Sequence, residues 1–191
     1  NSEHKLSLQA LIDTPSGIDL GELTALLPER LQTRDKRINC ATPEPLSDLP
    51  RLLAEFAEQD DTAPFRLIGR RHVRDCNSWM HNYHRLVKGK NRCTLMMHPS
   101  DAASQGLSEG ADVAITSRVG TINAPLEITD QVMPGVVSLP HGYGHDRKGI
   151  QMDIAIANKG VSCNDITDHE YLDDLSGNAA VNGVPVSVSA A

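Results

Sequence analysis

The chain has 191 residues and a formal net charge of −7, with 39% hydrophobic and 23% charged residues, a balance that excludes a disordered segment and fits a folded domain. Aromatic residues make up only 3%, so the core is expected to be aliphatic. No apolar run approaches the roughly 20 residues of a membrane span, and the acidic balance speaks against a generalised nucleic-acid binder. Glu3, His4, Lys5, Asp13 and Asp19 interrupt any secretory signal over residues 1–20, so a cytoplasmic protein is expected. The opening Asn1-Ser2, without Met, reads as a piece of a longer protein.

Residues 1–62 read as an irregular and partly helical lead-in. Pro15, Gly17, Gly21, Pro28, Pro43 and Pro45 punctuate it, and only Leu20 to Leu27 has room for a helical turn or two. Ser47 is then a plausible N-cap, with Leu49, Leu52, Leu53 and Phe56 at helical spacing, which predicts a helix from Ser47 to near Asp60.

From residue 63 to 191 the pattern is that of a single β domain. "PFRLIG" (64–69) and "RCTLMMH" (92–98) are short apolar strands. Pro99 and Ser100 open a short helix with Asp101 in its first turn and Gly106 as its terminating residue. "DVAITS" (112–117) and "TINAPLEIT" (121–129) alternate with period two, and "VVSLP" (136–140) follows the Pro134-Gly135 turn. Residues 140–182 are rich in Gly, Asn, Asp and His and read as long loop, which in a compact domain points to function. "GVPVSVS" (183–189) closes the fold. Many short strands with few helices predict a barrel or sandwich, mainly β with short helices, not β-α-β winding.

Charge is unevenly spread. Residues 66–92 hold eight Lys/Arg against the single acid Asp75, so the remainder is strongly acidic. A local basic patch of this kind suits a defined anionic ligand. Gly69 follows a strand and precedes Arg70 and Arg71, whose forked guanidinium groups match phosphate oxygens. Asn77, Ser78, His81 and Asn82 supply neutral donors and acceptors, and Trp79 and Tyr83 offer faces for stacking on a planar ring. The competing reading is a solvated charged face with one buried Trp.

Other chemistry is weakly signalled. Cys40, Cys76, Cys93 and Cys163 form no C-x-x-C pair and read as reduced thiols. His81/His84 and His141/His145 have spacings that bring imidazoles close, but "HGYGH" contains two glycines and the H-E-x-x-H pattern is absent, so no metal site is expected. Neither a nucleophile elbow nor a phosphate loop occurs, and Asp173-Asp174 read as solvated loop acids. The residues alone describe a ligand-binding β domain without visible catalytic machinery.

Three blocks change this picture: "LIGRRHVRDCNSWMHN", "HPSDAASQGLSEGADVAITSRVGTINAPLEITDQVMPGVVSLPHGYGH" and "CNDITD…DDLSGNAAVNGVPV". Together with the lead-in they resemble, over roughly residues 15–186, the C-terminal molybdopterin-dinucleotide-binding domain of the dimethyl-sulfoxide-reductase superfamily, with a formate-dehydrogenase-like flavour. The resemblance implies a six-stranded double-psi β-barrel of the aspartate-decarboxylase-like kind. It implies a bis(molybdopterin guanine dinucleotide) cofactor carrying Mo or W, shared with further domains of a larger oxidoreductase subunit. An iron–sulfur cluster would belong only to an N-terminal part absent from this sequence, and this domain alone would not catalyse. By position within the matched blocks, Gly69, Arg70, Arg71, Asn77, Ser78, Met80 and His81 inherit a cofactor-facing loop. His141 and Gly142 inherit a second, Asn164 and Asp165 a third, and Asn178 is an additional candidate. Relatives commonly carry Asn-x-Asn where this chain has Ser162-Cys163-Asn164, which leaves Asn164 to supply the side-chain hydrogen bond. The alternative is a free-standing barrel module for another nucleotide or anion.

Overall fold

The computed structural model describes residues 4–57 and 63–191. They fall into two compact units, Asn1–Leu46 and Ser47–Ala191. In the first unit, α1 spans Leu8–Asp13, and the Ser7 hydroxyl caps it by accepting from the Ala10 N–H at 3.1 Å. The expected helical turn at Leu20–Leu27 does not form. Asp19 Oδ1 instead accepts from the Gly21 N–H at 2.8 Å, and Gly21 sits at φ +85, a left-handed step that a helix cannot continue through.

Helix α2 spans Pro43–Ala57 and so begins four residues before Ser47. Pro43 and Pro45 lie in the first turn, where a missing N–H removes no helical hydrogen bond. The part of the expected helix beyond Ala57, up to Asp60, lies outside the described residues. Pro50 is tolerated inside α2, and Arg51 ties the helix together by donating to Asp48 Oδ1 at 2.7 Å and Glu55 Oε1 at 2.6 Å.

The second unit is built on six strands: β1 (Phe65–Arg70), β2 (Leu95–Met97), β3 (Asp112–Thr116), β4 (Thr121–Ile128), β5 (Val136–Pro140) and β6 (Val184–Ala190). They close into a barrel in the order β1-β5-β2-β4-β3-β6. Two parallel pairs, β1 with β5 and β2 with β4, are set among antiparallel ones. This closed, mixed six-stranded arrangement is a double-psi barrel. Full closure leaves no free edge.

Alternation fixes which side chains go inward. Phe65 and Leu67 of β1, Leu95 and Met97 of β2, Val113 and Ile115 of β3, and Val184 and Val186 of β6 are buried. The core is aliphatic apart from Phe65 and Cys163. Helix α4 (Pro99–Ser104) packs Ala102 into it. The α4 C-terminus is a Schellman cap: Gly106 adopts φ +65, its N–H reaches the Ala103 carbonyl at 3.2 Å, and the Leu107 N–H reaches Ala102 at 2.9 Å.

Helix α3 spans His84–Val87 in the basic stretch, and within residues 140–182, expected to be loop, lie helix α5 (Asp153–Ala157) and a 3₁₀ turn at Cys163–Asp165. Asn82 Oδ1 accepts from the Ile154 and Ala155 N–H groups at 3.1 and 3.2 Å, so it caps α5 from 72 residues away. Among the described residues no helix is long and apolar enough to cross a membrane.

Candidate dinucleotide-binding site

Arg70 and Arg71 end β1 and have opposite fates. Arg70 turns inward, half-buried, and its guanidinium donates to the Ser138 carbonyl at 2.5 Å, the Thr94 carbonyl at 2.8 Å, Thr94 Oγ1 at 2.9 Å and the Arg92 carbonyl at 3.1 Å. Thr94 in turn donates to Glu127 Oε2 at 2.5 Å. Arg70 thus laces β1 to β5 and to the chain entering β2 through Nη1 and Nη2. Arg71 is exposed and makes no hydrogen bond or ion pair among the described residues.

Arg71 lines a small cleft of about 120 Å³ together with Gly69, His141, Cys163, Asn164 and Asn182. Four chain segments meet there: the end of β1, the turn after β5, the 3₁₀ turn and the approach to β6. Asn182 Oδ1 accepts from the Gly69 N–H at 2.8 Å and fixes one wall. A Cβ on Gly69 would face only Asn182 Oδ1, at 3.5 Å, so this glycine keeps the wall low rather than relieving a clash. His141 has its pKa pushed below the ordinary imidazole value by burial and by the Arg71 charge. It stands 3.6 Å from Cys163 Sγ through Nδ1. Burial pushes the Cys163 thiol up, so this cysteine is no poised nucleophile. Arg71 also borders a larger hollow of about 560 Å³ shared with His72, Lys90 and Arg92.

The 76–82 loop lies against this cleft. Cys76 and Asn77 are consecutive left-handed residues, φ +43 and +64, which turn the chain back sharply. Gly142, at φ +93, meets Asn77 so closely that a Cβ there would lie 2.4 Å from the Asn77 carbonyl oxygen and 3.2 Å from Ser78 Cβ. The loop carrying Asn77 and Ser78 and the turn carrying His141 and Gly142 are therefore in contact. Met80 is exposed beside them. Trp79 is 84% exposed, which removes the reading of a charged face around a buried Trp.

His81 points the other way. It is 2% exposed, its Nδ1 lies 2.6 Å from His145 Nε2, and its ring stacks on Tyr143 with centroids 4.3 Å apart. The buried Asp75 carboxylate stands 3.4 Å from His81 Nε2 and accepts from Arg92 Nη2 at 2.7 Å. Burial lowers the pKa of both imidazoles, against the raising pull of Asp75 on His81 and Asp146 on His145. A neutral pair sharing one proton satisfies the short contact. The histidines thus pair across 64 residues, not within the short spacings of the sequence.

The other candidates are partly brought together. Asn164 lines the cleft, while Asp165 is held outside it by an ion pair with Arg147. Asn178 sits in a local turn, where its carbonyl accepts from the Asp173 N–H at 2.9 Å, and Asn182 takes the place beside Gly69. The Asn182-Gly183 dipeptide just before the last strand was the signal for it. Arg92 is half-buried on Asp75. Among the described residues no group of three or more His, Cys, Asp or Glu side chains could hold a metal ion.

Residues 65–185 match the family described as the molydopterin dinucleotide binding domain. This chain belongs to that family. ArrA, the molybdopterin-containing subunit of the arsenate respiratory reductase of Chrysiogenes arsenatis, is 31% identical over 132 residues, covering 63% of this chain and 15% of that protein. A tetrathionate reductase subunit of Salmonella typhimurium is 29% identical over 110 residues, covering 48% of this chain and 11% of its own length. Acetylene hydratase from Pelobacter acetylenicus shares the fold with a TM-score of 0.57 and 20% identity, over 76% of this chain and 20% of that one. The domain thus spans a small fraction of each of these relatives.

Proposed function

We propose that this domain closes over one end of a bis(molybdopterin guanine dinucleotide) in a larger molybdenum or tungsten oxidoreductase subunit. The observation that carries the reading is the convergence of Gly69, Arg71, His141, Asn164 and Asn182 on one cleft, with a cation left unpaired at its mouth. The donor set fits the group. Arg71 suits a phosphate, Asn164 offers an amide to a ring edge, and His141, held neutral, donates from one nitrogen and accepts at the other.

A cleft of about 120 Å³ takes a phosphate or a ring edge, not a dinucleotide. The remainder of the cofactor therefore lies across surfaces supplied by other domains, in keeping with the small share of each relative that this chain covers. When bound, the cofactor supplies two-electron or oxygen-atom transfer at its metal. This chain's residues bind and orient: Arg71 neutralises charge, Asn164 and Asn182 fix the ring plane, and the Gly142–Asn77 contact sets the spacing of the two loops. A formate-dehydrogenase-like parent acting in the cytoplasm is our preferred setting, supported by the resemblance of the sequence blocks and by four free cysteines.

The test is made on the intact parent protein. Arg71→Ala combined with Asn164→Ala should lower its content of metal and of releasable guanosine monophosphate at least about tenfold, the weight of one to two charge-assisted hydrogen bonds. Full occupancy in the double variant would refute the assignment.

A further inference from the structure

A second cavity, of about 310 Å³, lies behind the 76–82 loop and away from the Gly69–Asn164 cleft. Its floor is His81, Arg92 and Tyr143, and its rim is Lys90, Lys159 and Gly160. Three cationic side chains line it and no carboxylate does. Two acids stand behind: Asp75 on Arg92 and His81, and Asp146, 3.2 Å from Lys159 at the surface. Lys90 makes no hydrogen bond or ion pair among the described residues.

The floor holds an unspent donor. Arg92 Nε is buried and has no hydrogen-bond partner among the described residues, while His81 Nε2 faces the Asp75 carboxylate at 3.4 Å. Burial pushes the Tyr143 hydroxyl up, so it stays protonated. Gly160, at φ +52, has no room for a Cβ, which would fall 2.5 Å from Tyr143 Cδ1 and 2.7 Å from Cys93 Sγ. Its backbone is thereby pressed against this wall.

We propose that this cavity is an oxyanion site that takes a phosphate group, held by Lys90, Lys159 and Arg92 with the Tyr143 hydroxyl and backbone N–H groups. Guanidinium and ammonium groups around a water-restricted floor are what a tetrahedral dianion needs, and the volume accommodates a phosphate with part of an attached group. The site shares the Lys90–Arg92 segment with the larger hollow beside Arg71, but His81 and Tyr143 of its floor line neither that hollow nor the cleft. It stands whether or not the cleft holds the dinucleotide.

Inorganic phosphate, pyrophosphate and guanosine monophosphate are titrated separately into the 191-residue chain, followed by amide NMR. Saturable shifts are expected at Gly89, Asn91, Arg92 and Gly160, not at Gly69 or Asn164. Lys90→Ala with Lys159→Ala should weaken binding at least about tenfold, while Lys148→Ala, which removes one charge outside the cavity lining, leaves it unchanged. Preference for guanosine monophosphate over inorganic phosphate would identify a nucleotide phosphate as the occupant, and the reverse a free anion. Shifts that fail to saturate with all three probes, or that ignore the two lysine changes, would overturn the proposal.

Discussion

Two adjacent arginines separate structure from function. Arg70 lends its guanidinium to three backbone carbonyls and a threonine that its removal would leave short of partners. Arg70→Ala should therefore cost about 3 kcal/mol of stability in urea unfolding, and a loss under about 1 kcal/mol would contradict the lacing role. Arg71→Ala should shift the same transition by less than about 0.5 kcal/mol, as expected for an exposed side chain without partners. "GRR" announces both arginines to a reader of the sequence but not their division of labour, which depends on carbonyls more than 20 residues away. Gly142 is the other decisive residue. Gly142→Ala places a methyl into the Asn77 carbonyl at a left-handed φ. It should cost about 2 kcal/mol and separate the two loops, measurable as a lowered thermal midpoint.

At the scale of elements, the strands were legible because each alternates or is bounded by turn residues. Val136–Pro140 has the bounds that its sequence predicts, and Thr121–Ile128 differs by one residue. Helix α1 was not legible: six residues held by the Ser7 cap carry too little periodicity. The same holds for α5, whose N-terminus is capped by Asn82 from a distant loop. The His81–His145 pair was hidden for a related reason. His81 looks from sequence like a ligand-facing residue, and only the fold shows it turned inward to lock the 76–82 loop onto the 141–145 turn. This lock predicts a pH dependence. Both imidazoles titrate below the ordinary value of 6.5 in the folded chain. The unfolded chain then binds more protons in this range, so their contribution to stability is complete above about pH 6.5 and is lost as pH falls below it. Unfolding free energy should decline from pH 7 to 5, and His81→Gln should flatten that part of the profile. An unchanged slope in the variant would place the dependence elsewhere.

For the whole molecule, the barrel brings distant segments to one end. β1 and β5 run parallel side by side, so Arg71 and His141, which follow them, emerge together, and the 3₁₀ turn and the approach to β6 complete the cleft. The family resemblance named the three loops. It did not resolve that Asp165 pairs with Arg147, that His81 turns inward onto His145, or that Asn182 lines the cleft. The central claim is that the dinucleotide seats on this cleft. Hydrogen exchange of the intact parent protein, cofactor-loaded against cofactor-free, tests it most directly. Added protection should concentrate in residues 69–71, 141–142, 163–165 and 182, and protection confined to other faces of the barrel would contradict the account.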